Sequence, residues 1–153
     1  MNHSAKALRS LARSTSGSSL VETALVLPFL VLVLAGAYDF GQAYFAAIEV
    51  ATAAEAGAQY GLQNVTNLTG MQNAAKLDAA DVLNTQAVAT YGCECSDGTA
   101  AVASCTTSPT TCTYNIVNYV QVVVTASYKP TLTYPGAPVS IPLSSTVRLR
   151  AGQ

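Results

Sequence analysis

Gly17-Ser18-Ser19-Leu20-Val21-Glu22-Thr23-Ala24-Leu25-Val26-Leu27-Pro28-Phe29-Leu30 is the stretch on which the fold turns. Lys6, Arg9 and Arg13 precede it, with no acid among residues 1–17. Residues 23–38 carry no charge, and residues 18–38 carry one, Glu22. A bilayer-spanning helix needs about 20 apolar residues, so this segment is of membrane grade if the carboxylate is tolerated. A charge at the bilayer centre costs about 2.5 kcal/mol or more, so Glu22 requires a compensating role. Pro28 would break a soluble helix, but membrane helices tolerate proline. A local kink is expected there, not an end.

The helix reads on past Asp39. Residues 42–61 are rich in alanine, the strongest helix former, and Phe40, Tyr44, Ile48 and Ala51 recur on one helical face. Gly57 and Gly61 flank the expected C-terminus. One helix over residues 18–61 spans roughly 65 Å, about twice the hydrocarbon core, with residues 20–38 in the membrane. Its second half must therefore stand in water and pack on something.

Composition agrees. Only 10% of the 153 residues are charged, against about 25% in soluble domains. Residues 1–17 hold three basic and no acidic side chains, and the remainder four basic and eight acidic. That asymmetry reads as a cytoplasmic positive flank and a translocated body. It excludes a nucleic-acid binder, because no basic patch exists beyond the flank. Residues 1–17 read as a leader peptide or cytoplasmic tail.

Beyond the helix, residues 71–90 read as a second helix with Met71, Ala74, Ala75, Val82 and Leu83 on its apolar side. The period then becomes two. Residues 119–128 and 139–151 read as half-buried strands, with a third short strand near 111–116. Pro142 points to an edge strand or a bulge. Cys93, Cys95, Cys105 and Cys112 fall in a Gly/Ser/Thr-rich stretch between helix and sheet. Their spacing is not a usual zinc pattern, and an even count in a translocated domain implies two disulfides. Cys93 and Cys95 are too close to bond to each other, which leaves two cross pairings open. Asp78 and Asp81 would share a side of the second helix, but without a histidine or a phosphate loop they read as a solvated face. The chain is not expected to be an enzyme, to bind a metal or to carry a cofactor. The fold class is α+β: a long N-terminal helix over residues 18–61, then a periplasmic domain over residues 62–153 with a second helix, a small antiparallel sheet and a disulfide-stapled loop.

The run Val21-Glu22-Thr23-Ala24-Leu25-Val26-Leu27-Pro28 closely resembles the TadE-like proteins, pseudopilins of tight-adherence (Flp) pilus systems. The likeness extends through Ala53-Ala54-Glu55-Ala56-Gly57-Ala58-Gln59-Tyr60. Thr23 departs from the tyrosine that often follows this glutamate in that family. The resemblance implies a pilin-like outline and cleavage between Gly17 and Ser18 by a prepilin peptidase. Glu22 would then be the fifth mature residue, meeting the free amine of a neighbouring subunit, with Pro28 in the same docking segment. It further implies a minor pseudopilin that assembles or primes a type IVb pilus for surface adhesion and biofilm formation. Implied partners are other pilins through the face over residues 20–48, the peptidase, an inner-membrane platform and membrane lipid. The expected location is the bacterial inner membrane, single-pass, with the N-terminus cytoplasmic and the body periplasmic, reaching the cell surface if it enters the pilus.

Two other readings compete. One is a single-pass anchored periplasmic binding protein that keeps its N-terminus. The other takes Ala35-Gly36-Ala37 as a signal-peptidase site and releases a soluble domain that starts at Tyr38.

Overall fold

A computed structural model describes residues 15–98, 101–102, 105, 112, 115–132, 136 and 138–151. The chain divides into two compact units, Met1–Phe40 and Gly41–Gln153. Helix α1 (Thr15–Gln63) contains Pro28 without ending there. In the first unit it is the described element, and its apolar side chains from Leu20 to Leu34 are exposed.

In the second unit α1 buries Val50, Ala53, Ala54, Gly57, Ala58 and Gly61, a 3–4 spacing that marks one face. This is not the face expected from the large side chains. Phe40, Tyr44, Ile48 and Ala51 are exposed. The reason is close approach. An added Cβ on Gly57 would stand 2.9 Å from the Met71 carbonyl oxygen and 3.1 Å from a Val122 methyl. Only small residues admit the helix backbone that near its neighbours.

Helix α2 (Leu68–Asp78) begins at Asn67. The Asn67 Oδ1 accepts from the Gly70 N–H at 2.9 Å, and its Nδ2 donates to the Tyr60 hydroxyl at 3.1 Å. Met71 and Ala75, one turn apart, are buried. The expected extent of this helix, to residue 90, is corrected by the structure. It ends at Asp78, and Asn84 takes φ 58°, a left-handed conformation that asparagine tolerates. Strand β1 (Gln86–Cys95) then starts, with Ala87 and Ala89 buried between exposed Gln86, Val88 and Thr90.

The sheet runs β2-β1-β3-β4, all antiparallel. β2 (Ala101–Val102) is a two-residue bridge onto Cys93 and Glu94. β3 (Ile116–Tyr128) pairs with β1 from Gln86 opposite Thr125 to Cys95 opposite Ile116. β4 (Ile141–Ala151) pairs with β3 from Asn118 opposite Ala151 to Tyr128 opposite Ile141. The two strands read from period two are thus β3 and β4, and β1 is additional. Of the third expected strand, Ile116 opens β3, while residues 111, 113 and 114 lie outside the described residues. Pro142 sits opposite Ser127 on the edge strand β4, the place in a sheet where proline is tolerated.

The core lies between the helices and the inner face of the sheet. Val120, Val122 and Val124 alternate inward from β3 and are fully buried. Each contributes about 1.5–3 kcal/mol by burial. Leu143, Val147 and Leu149 of β4 pack against that cluster. Cys93 and Cys95, two apart on β1, are buried as well. Disulfides join Cys93 to Cys105 and Cys95 to Cys112, which resolves the pairing the sequence left open. The stapled segment lies between β1 and β3, so it is tied into the sheet rather than standing ahead of it.

Candidate functional site

The apolar front of α1 is the first candidate. Leu25 and Phe29 are 74% and 72% exposed, and every other leucine, valine and phenylalanine from Leu20 to Leu34 is exposed by more than half. Side chains of this kind on a water-facing surface would be strongly unfavourable. The helix is long and apolar enough to cross a membrane. Gly17 and Ser18 lie in its first turn, two and three positions after Thr15; residues 1–14, most of the expected leader, lie outside the described residues.

Glu22 is exposed and opens a shallow apolar groove along α1, lined with Thr23, Val26, Leu27 and Leu30. Glu22, Val26 and Leu30 follow one another at one-turn steps, so they share a side. Thr23 turns its hydroxyl back to the Ser19 carbonyl at 2.9 Å, which satisfies its polar group within the helix. Pro28, beside the groove, carries no N–H, so the Ala24 carbonyl lacks its helical donor. At the other end of the apolar run, Tyr38, Phe40, Tyr44 and Phe45 are exposed, while Asp39 is buried. Aromatic side chains of this kind favour a membrane–water boundary.

A second cluster occupies the outer face of the sheet, and sequence reasoning missed it. Glu94 lies between the two cystines of β1 but is only 8% exposed. Its Oε1 accepts from the Arg150 Nε at 2.7 Å, and its Oε2 pairs with Arg148. The Arg148 guanidinium also stacks over the Tyr119 ring, 3.6 Å from its centroid. That ring covers Gly92, where an added Cβ would meet the phenol oxygen at 2.6 Å. Strand alternation in β4 puts Arg148 and Arg150 on one face, which was the available signal. What brought Glu94 to them was β1, a strand the sequence did not disclose.

Asp78 closes α2 and Asp81 lies in the turn beyond it, so the helical carboxylate pair is not formed. Among the described residues no group of three or more His, Cys, Asp or Glu side chains is placed to hold a metal.

Residues 17–59 match the family model described as TadE-like protein. The matched span lies within α1 and stops before α2 and the sheet. That family comprises proteins associated with tight-adherence pili that carry an N-terminal membrane-spanning helix. No curated protein and no solved structure matches the chain.

Proposed function

We propose that this chain, TadE-like over residues 17–59, is a minor pseudopilin-like subunit of the bacterial inner membrane. It assembles or primes a tight-adherence pilus and so serves surface adhesion and biofilm formation. The observation that carries the reading is the exposed apolar front of α1, with the Glu22 carboxylate five residues after Gly17. Cleavage after Gly17 by a prepilin peptidase creates an ammonium at Ser18. The same ammonium on a neighbouring subunit offsets the cost of holding Glu22 in a lipid-like setting. Glu22 thereby sets the register between subunits, and the groove from Thr23 to Leu30 receives a neighbouring helix beside Pro28. The basic flank supports a cytoplasmic N-terminus, and two disulfides suit a periplasmic body. Its partners are then other pilins, the peptidase, an inner-membrane platform and lipid.

The test is Glu22→Ala in the producing cell. Membrane insertion should be retained or improved, because a costly charge is removed, while piliation is lost. Normal piliation in that variant overturns the docking role.

One observation favours the secreted alternative: the larger unit begins at Gly41, so a cut after Ala37 would leave it whole. N-terminal sequencing of the membrane-associated protein separates the two. A start at Ser18 agrees with the pseudopilin, and a start at Tyr38 with the released domain.

A further inference from the structure

We propose that a cleft in the unit Gly41–Gln153 binds the zwitterionic headgroup of a phosphoethanolamine lipid. The cleft has a volume of about 280 Å³ and is lined by Phe45, Glu49, Asp81, Leu83, Tyr128 and Lys129, among others. Small-molecule sites run from roughly 300 to 1,000 Å³, so this one suits a headgroup rather than a large ligand. It is held open by fixed structure. The Asn84 side chain donates to the Ser127 hydroxyl at 3.3 Å, and the Ser127 N–H bonds the Leu83 carbonyl at 3.4 Å. The turn after α2 is thereby tied to the end of β3, opposite α1.

The charges carry the argument. Two acidic residues and one lysine line a single cleft, yet the ion pairs found among the described residues are those of Glu94 with Arg148 and Arg150. Glu49, Asp81 and Lys129 are outside that network. An ethanolamine ammonium donates three hydrogen bonds to carboxylates, and a phosphate accepts from a lysine. A ligand with both groups a few bonds apart satisfies both halves of the lining at once.

One further observation selects a lipid. Phe45 and Leu83 at the cleft are both 65% exposed, an apolar rim suited to the glycerol and upper acyl region. The inference rests on α1 spanning a membrane and not on the pilus assignment.

The test is lipid retention by the full chain in detergent micelles doped with phosphatidylethanolamine, phosphatidylcholine or phosphatidylglycerol, read by native mass spectrometry. Phosphatidylethanolamine should be retained in preference. The trimethylated choline headgroup has no N–H to donate, and phosphatidylglycerol brings no cation to the carboxylates. Asp81→Asn and Lys129→Gln, both at exposed positions, should each weaken retention by about tenfold, the value of one charge-assisted hydrogen bond. Asp78→Asn, an exposed carboxylate outside the cleft lining, should leave it unchanged. Soluble glycerophosphoethanolamine at the same concentration should not displace the lipid. Equal retention of the three lipids, unaltered retention in both cleft variants, or displacement by the soluble headgroup overturns the proposal. Piliation does not enter this readout, so failure here and failure of the Glu22 test are distinguishable.

Discussion

Gly57 and Gly41 both lie inside α1, and the structure gives their replacement by alanine opposite signs. An added Cβ at Gly57 meets the Met71 carbonyl oxygen at 2.9 Å, the Ala75 Cβ at 3.1 Å and a Val122 methyl at 3.1 Å. The first of these is backbone, so α1 or α2 must shift. At Gly41 nothing lies within 4 Å of the added atom. In a helix interior, glycine to alanine gains about 0.4–1 kcal/mol where the conformation allows it. Inserting a methyl into a packed core costs about 1–3 kcal/mol. Gly41→Ala should therefore be neutral or stabilising by up to about 1 kcal/mol, and Gly57→Ala a net loss of about 1–2 kcal/mol. The helix-propensity gain is common to both, so the gap between them isolates the packing cost. The assay is urea unfolding of the full chain in detergent, followed by circular dichroism. Equal midpoints, or a more stable Gly57→Ala, would refute the claim that the small-residue face of α1 is what closes on the sheet.

Two further outcomes follow from the β1 region. Glu94→Ala removes the carboxylate shared by Arg148 and Arg150. Both guanidiniums are about half in water (side chains 40% and 52% exposed), so screening limits the loss to about 1–2 kcal/mol by the same unfolding assay, larger at low salt. Replacing Cys95 and Cys112 together by alanine opens a link with a sequence separation of 17, which costs about 3 kcal/mol on the loop-entropy model; an unchanged urea midpoint would rule out that staple as a source of stability.

What the sequence disclosed and what it hid divide along physical lines. The apolar front of α1 and the lone charge of Glu22 stand out because periodicity and charge are local properties. β3 and β4 are legible because Val120, Val122 and Val124, then Leu143, Val147 and Leu149, fall on one side of a period-two pattern whose other side, Val123 apart, is polar. β1 was hidden by its own core. Ala87 and Ala89 face inward, and alanine is a helix former whose burial in a strand is dictated by what lies across from it. The turn that separates it from α2 depends on one left-handed asparagine, Asn84. The buried face of α1 was misread for a related reason. Phe40, Tyr44 and Ile48 carry more apolar surface than Ala53, Ala54 and Gly57, but the distance between layers rewards small size rather than area. The disulfide partners and the Glu94 cluster required the β1–β3–β4 register, which joins residues more than 50 positions apart.

The distribution of apolar volume connects the fold to its role. The largest fully buried side chains among the described residues are Met71, Val50, Val120, Val122, Val124 and two disulfide cysteines. The leucines and phenylalanines are concentrated instead on α1, exposed. A chain whose bulky apolar groups stand outside its core has little area per residue left to bury, and small cores lean on staples. The two cystines and the Glu94 pairing sit at the end of β1 away from Gln86 and provide such reinforcement. Because disulfides form and persist only in an oxidising compartment, the unit Gly41–Gln153 should reach its full stability only where the Cys93–Cys105 and Cys95–Cys112 links can form.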